Sequence, residues 1–191
     1  MRHKMILITG GARSGKSAYA LKLGKAFSKK AYVATAQALD QEMRERIEKH
    51  RKERGASFAT IEAPLELTKA LQKLSPGFDF VLVDCLTFWL SNLLLKVQNP
   101  SVIEQSVEKF LNFFPVRPFT LALVSNEVGM GVVPDSELGR KFRDLQGKLN
   151  QQVAERADEV IFMVSGLPVF VKGRRRGASA VKKEESSYAV I

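Results

Sequence analysis

A mostly parallel α/β sheet with helices on both faces is the fold this sequence predicts. Three observations carry the prediction. Short apolar runs rich in Val, Ile and Leu alternate with stretches of helical periodicity. Those runs have no polar face, as strands read when helices cover both sides of their sheet. A glycine-rich stretch, GGARSGKS, also stands directly between the first apolar run and the first helical stretch.

The elements follow in order. Strands are expected at 5–9, 31–35, 80–84, 120–125 and 160–164, and helices near 16–28, 40–54, 64–74, 87–96, 101–113 and 136–156. Strand–helix alternation implies parallel strands joined by right-handed crossovers. Residues 58–62 and 169–172 are short enough to be extra or edge strands. From 173 to 187 apolar periodicity is lost, so residues 1–172 are expected to form one domain and 173–191 a basic, mobile tail.

Composition limits the function classes. The chain has 191 residues, 45% apolar and 26% charged, enough for one sizeable core and ordinary for a soluble domain. A chain disordered throughout, a collagen-like chain and a repeat array are excluded. One cysteine, Cys85, excludes an internal disulfide framework and suits a reducing compartment. Two histidines and one cysteine cannot build the usual zinc cage. The longest apolar stretch, 78–95, is broken by Asp79, Asp84, Ser91 and Asn92, so no membrane span is expected. The N-terminal apolar run covers only 5–8, too short for a secretory signal, and the expected location is cytoplasmic.

The net charge of +10 is unevenly placed. Residues 1–30 carry eight basic side chains and no acid, giving +8; residues 172–191 carry six basic and two acidic, giving +4; the rest sums to −2. Such ends favour anions: nucleotides, nucleic acids or other phosphates.

Gly10, Gly11, Ala12, Arg13, Ser14, Gly15, Lys16 and Ser17 fit G-x-x-x-x-G-K-[ST] at every defined position, between a strand and a helix. In a loop of this kind the glycines let backbone N–H groups wrap a phosphate, and the helix N-terminus adds positive potential. Lys16 is expected to reach the β- and γ-phosphates, and Ser17 to ligate Mg²⁺. The predicted fold is therefore P-loop NTPase-like. A second metal ligand is expected at Asp84, which ends the apolar run FVLVD at the strand edge where α/β sheets bind ligands. Asp84 is also placed to cap the next helix. The loop alone does not separate kinase, ATPase and nucleotidyl transfer.

In the helix DQEMRERIEKHRKER, Met43, Ile47, His50 and Arg54 share one face, flanked by Arg44 and Arg51. Spacing leaves two readings of His50. It is a half-buried histidine in a charged helix, or a nucleophile that attacks phosphorus with help from the arginines. His3, at the chain's start, is the poorer candidate. After the fourth strand, Ser125, Asn126, Glu127, Val128, Gly129, Met130 and Gly131 suit either a substrate loop or an ordinary βα turn. Arg143, beside Arg140 and Asp144, is expected to be solvated rather than bound to a second phosphate.

In this order GGARSGKS, YVATA, RERIEKHRKER, TIE, VLVDCLTFWLSNLL and the long segment from VSNEVGMGVVP to ERADEV occupy about residues 5–172. The set resembles the bifunctional adenosylcobinamide kinase / adenosylcobinamide-phosphate guanylyltransferase family of cobalamin biosynthesis. The P-loop is common to many families; the His50 helix and SNEVGMGVVP are far more specific. The resemblance implies a P-loop fold assembled as a homotrimer, with adenosylcobinamide and GTP or ATP as substrates. It implies phosphorylation of the aminopropanol hydroxyl, then transfer of GMP from GTP to that phosphate through a covalent histidine, here His50. It carries nucleotide contacts to the P-loop residues, to Ala34, Thr35 and Ala36, to Arg51, Lys52, Glu53 and Arg54, to Glu62 and to Asp84. Some members have glutamate at the last position, which keeps a carboxylate there. The tail after Lys172 matches nothing in the resemblance.

Other readings stay open at this point: a kinase of another small metabolite with a structural His50, a nucleic-acid-binding P-loop ATPase, and a regulatory nucleotide binder without turnover. Against the second, Tyr19 and Phe27 are the only aromatic residues in the basic first 30, and no nucleic-acid-binding module is recognisable.

Overall fold

The structure is a computed structural model that describes residues 3–38, 40–54, 57–74, 77–97 and 99–173; within the second helix the side chains of 46, 49, 50, 53 and 54 are outside that description. The described residues form seven strands and six α-helices. In chain order these are β1 (Met5–Gly10), α1 (Lys16–Gly24), β2 (Lys30–Ala34), α2 (Gln41–Arg54), β3 (Ala59–Glu62), α3 (Leu67–Lys73), β4 (Phe80–Asp84), α4 (Leu86–Lys96), α5 (Pro100–Phe113), β5 (Thr120–Val124), α6 (Glu137–Arg156), β6 (Glu159–Val164) and β7 (Leu167–Lys172).

The strands make one sheet in the order β3-β2-β4-β5-β1-β6-β7. Its first six strands are mutually parallel; β7 alone runs antiparallel, to β6. The expected α/β class and both short extra strands are therefore present. The β6–β7 hairpin turns through Ser165 (φ 49°) and Gly166 (φ 84°). Positive φ at both central residues matches the right-handed twist of the flanking strands.

Alternate residues of each central strand enter opposite cores. Met5 and Leu7 of β1 join Val81, Val83, Leu121 and Leu123 against α3, α4, α5 and α6, with Trp89, Phe110 and Phe119 as the largest fillers. Ile6 and Ile8 join Phe80, Leu82, Ala122 and Val124 against α1. This two-sided burial is why the strands read as continuous apolar runs. α2 differs. Neither core includes a described α2 side chain, and of those only Met43 and Ile47 are half-buried.

Two helices are shorter than their patterns suggested. α1 stops at Gly24, where a Cβ would lie 2.6 Å from the Phe58 ring. α3 starts at Leu67 rather than 64, because Pro64 and the Leu65 turn precede it. α6 begins as its sequence suggests, with Ser136 Oγ accepting from the Gly139 N–H at 3.1 Å. Of the expected tail, residues 174–191 lie outside the described residues.

Candidate active site

The phosphate loop, Ala34, Thr35, Ala36, Glu62 and Asp84 lie at the carboxyl edge of the parallel strands, the usual ligand edge of open α/β sheets. Register fixes their level. Ile8, Val124, Asp84, Ala34 and Glu62 pair across β1, β5, β4, β2 and β3 as one row. At about 4.8 Å per strand, Asp84 stands roughly 10 Å from β1 and Glu62 roughly 19 Å. The phosphate loop and Asp84 thus face each other across β5, and Glu62 lies at the far end of the row.

The loop needs its glycines at two points. Gly10 has φ 144°, and a Cβ there would lie 2.5 Å from the Met163 carbonyl oxygen. Gly15 has φ 93° and precedes α1 without any side-chain cap. The uncapped first-turn N–H groups of α1 therefore open toward the loop, as an anion site requires. Between the two glycines, Ser14 N–H donates to Gly11 O at 3.3 Å, and Gly166 N–H donates to Ser14 O at 3.0 Å. The β6–β7 turn thus braces the loop from outside. Lys16 is buried, and its Nζ donates to Gly11 O at 2.6 Å and to Ser14 Oγ at 3.4 Å. The ammonium lies folded against the loop that a phosphate would fill.

Asp84 is half-buried on the sheet face that α1 covers, and Tyr32 Oη donates to its Oδ2 at 3.0 Å. This leaves Oδ1 for a cation. Ser17, half-buried in the first turn of α1, adds a hydroxyl. Hard oxygen donors suit Mg²⁺, which uses one or two carboxylates and completes its shell with phosphates and waters. Among the described residues no group of three or more His, Cys, Asp or Glu offers a dedicated cage, in keeping with that sparse mode. The next residue, Cys85, offers no competing nucleophile. Burial, with the Asp84 charge beside it, pushes its thiol up to about 12, so it stays protonated at neutral pH.

Thr35 proves to be a brace. It is fully buried, its Oγ1 accepts from Cys85 N–H at 2.8 Å and donates to Cys85 O at 2.6 Å, and its carbonyl accepts from Asn92 Nδ2 at 2.8 Å. Asn92 Nδ2 also donates to Pro64 O at 3.0 Å, and Trp89 Nε1 donates to Leu65 O at 2.8 Å. α4 in this way ties together the loops that follow β2 and β3. Ala34 and Ala36 are half-buried beside it, and Glu62 is exposed.

The segment after β5 is built more firmly than an ordinary turn. Ser125 is fully buried, with Oγ donating to Asn150 Oδ1 at 2.6 Å. Gln146 Nε2 donates to both of those oxygens, at 2.9 and 3.0 Å. Asn150 Nδ2 donates to Asn126 O at 3.0 Å, and Asn126 N–H donates to Thr87 Oγ1 at 2.8 Å. Glu127 N–H donates to Gly10 O at 3.0 Å, joining the segment to the phosphate loop. Sequence reasoning passed over Tyr32, Asn92, Gln146 and Asn150. The available signals were one amide in the apolar helix α4 and an i, i+4 amide pair on α6.

The structure does not bring every predicted residue into this cluster. Arg51 and Lys52 are exposed on α2; His50, Glu53 and Arg54 are in the same helix, with side chains outside the description. Arg143 is half-buried rather than solvated and pairs with its neighbour Asp144 at 3.1 Å, and Arg140 donates to the carbonyls of Pro134 and Asp135. Arg13 is exposed at φ 56°.

Comparison with known proteins bears on the fold and the family. A prototypical ATPase from the type III secretion system of pathogenic bacteria superposes with a TM-score of 0.51 at 12% identity, covering 83% of this chain and 50% of that one, which shows the fold alone. The bifunctional adenosylcobalamin biosynthesis protein CobP of Pseudomonas aeruginosa is 47% identical over 171 residues, 87% of this chain and 96% of that protein. The bifunctional adenosylcobalamin biosynthesis protein CobU of Escherichia coli is 39% identical over 180 residues, 88% of this chain and 99% of that protein. The family described as cobinamide kinase / cobinamide phosphate guanyltransferase matches residues 6–171. The chain belongs to the cobinamide kinase / cobinamide phosphate guanyltransferase family.

Proposed function

We infer that this chain performs both reactions of its family: phosphorylation of adenosylcobinamide by a nucleoside triphosphate, then transfer of GMP from GTP to the new phosphate, giving adenosylcobinamide-GDP and pyrophosphate. Membership of the family carries the pair of reactions, and the phosphate loop, complete from Gly10 to Ser17 and facing Asp84 at one sheet edge, supports the phosphoryl chemistry. Both reactions are displacements at phosphorus, governed by positioning and charge stabilisation. In this reading Lys16 neutralises charge on the transferring phosphate, with the N–H groups of the loop around it. Ser17 and Asp84 hold Mg²⁺, which when bound offsets phosphate charge. The row from Asp84 through Ala34 and Ala36 to Glu62 receives the rest of the nucleotide, with Thr35 fixing its backbone. His50, with Arg51 to Arg54 beside it, carries GMP as a covalent intermediate.

Dual labelling tests the pair of reactions. Corrinoid product made with γ-labelled nucleotide should carry that label from the first step. Product made with α-labelled GTP should carry it from the second. A product that never acquires α-label would remove guanylyl transfer from the assignment.

We also propose a cytoplasmic homotrimer. No helix among the described residues is long and apolar enough to cross a membrane. β7 supports self-association, because Leu167, Val169 and Val171 expose 70%, 51% and 67% of their surface on an edge strand. Light scattering should give three times the chain mass, and Val169→Lys should lower it. An undiminished trimer in that variant would place the contact elsewhere.

A further inference from the structure

We propose that Glu127 is the general base of the kinase reaction, its carboxylate taking the proton of the attacking hydroxyl. This rests on the family's kinase reaction taking place at the phosphate loop.

Sheet order supplies the first reason. β5 lies between β1 and β4, so the residues that follow it stand between the phosphate loop and Asp84. Glu127 is the acid at that place. Its backbone N–H donates to Gly10 O at 3.0 Å, which sets its Cα beside the first glycine of the loop. Its Oε1 accepts from Gly129 N–H at 3.0 Å, which orients the half-buried carboxylate and leaves Oε2 to accept from a substrate.

Support from beneath supplies the second reason. Ser125 and Asn126, immediately before Glu127, are held by Gln146 and Asn150 of α6 and by Thr87 of α4. A linker between a strand and a helix needs no buried polar network. A base that must meet a hydroxyl within hydrogen-bond reach does.

The chemistry supplies the third reason. The attacking oxygen loses its proton as it bonds to the γ-phosphorus. The bond from that phosphorus to the bridging oxygen breaks, its electron pair leaving on the nucleoside diphosphate. The proton needs an acceptor. Lys16 has none to offer as an ammonium, and Asp84 already accepts from Tyr32 and is placed for the cation. Among the described residues Glu127 is the remaining carboxylate beside the loop. In guanylyl transfer the attacking phosphate is already ionised, so this acceptor is not needed there.

Glu127→Gln tests the assignment, since glutamine keeps the shape and can still accept from Gly129. Kinase kcat should fall about 10²–10⁴-fold, the range of general-base catalysis, with KM for the nucleotide held. GMP transfer to ready-made adenosylcobinamide phosphate should persist, which also shows that the variant is folded. Glu127→Asp should recover part of the kinase rate. Wild-type kinase kcat in Glu127→Gln, where Lys16→Ala abolishes it, would overturn the proposal alone. Equal losses in both reactions would also overturn it, marking Glu127 as structural. Full kinase activity in Lys16→Ala would overturn the phosphate-loop reading and this proposal with it.

Discussion

Lys16→Ala is expected to cut phosphorylation of adenosylcobinamide by about 10²–10³-fold or more, the scale seen when one preorganised charge-stabilising donor is lost. The side chain has two tasks that can be told apart. In the structure its ammonium donates to Gly11 O and Ser14 Oγ, so it steadies the loop before any phosphate arrives. Alanine removes those bonds. Gly11 is exposed, however, and water can satisfy its carbonyl. The loop is further held by Gly166 N–H on Ser14 O and by Glu127 N–H on Gly10 O, neither of which involves Lys16. The thermal midpoint should therefore move little while kcat collapses. Steady-state kinetics beside a melting curve measure both. Near-normal kcat in a folded Lys16→Ala protein would take the loop out of the mechanism.

The contrast between loop and helix explains how much could be read from the sequence. GGARSGKS was legible because backbone geometry demands it: Gly10 and Gly15 occupy positive φ, and a Cβ at Gly10 would collide with Met163 O. Asp84 was legible because an apolar strand ends in a carboxylate. The inner strands β1, β4 and β5 were legible because burial on both faces leaves their middles wholly apolar. Sheet order was not legible: no local pattern says that β5 separates β1 from β4, the order that sets Glu127 beside the phosphate loop. The bracing role of the Thr35 side chain was not legible, because Oγ1 bonds Cys85 across a β2–β4 pairing that the local pattern did not specify. The amides of Asn92, Gln146 and Asn150 looked like ordinary polar residues because, apart from the Gln146–Asn150 bond within α6, their partners lie 21 to 57 positions away.

His50→Asn is expected to abolish guanylyl transfer, by roughly 10⁴–10⁶-fold, the scale of losing a covalent nucleophile. The position argues for function. No described side chain of α2 belongs to either core, and its sequence QEMRERIEKHRKER is strongly polar. A histidine has little structural reason to stand in such a helix, whereas a neutral imidazole flanked by guanidinium groups suits attack on a phosphate ester. If the imidazole attacks the α-phosphorus of GTP, a P–N bond forms and the bond to the bridging oxygen breaks, pyrophosphate leaving with the electron pair. The imidazole N–H proton is lost to solvent. The adduct is a phosphoramidate, labile in acid and stable in alkali, unlike a phosphate ester of serine. α-Labelled GTP should leave acid-labile label on the wild-type protein, and γ-labelled GTP none by this route. Asparagine keeps some polarity but offers no comparable nucleophile, so label and guanylyl transfer should vanish together. Kinase activity should survive in part, because Lys16, Ser17, Asp84 and Glu127 are untouched. Undiminished α-label on His50→Asn would refute the assignment. Guanylyl transfer by a wild-type protein that never takes up label would mean direct attack by the substrate phosphate, with inversion at the α-phosphorus in place of the net retention that two successive displacements give.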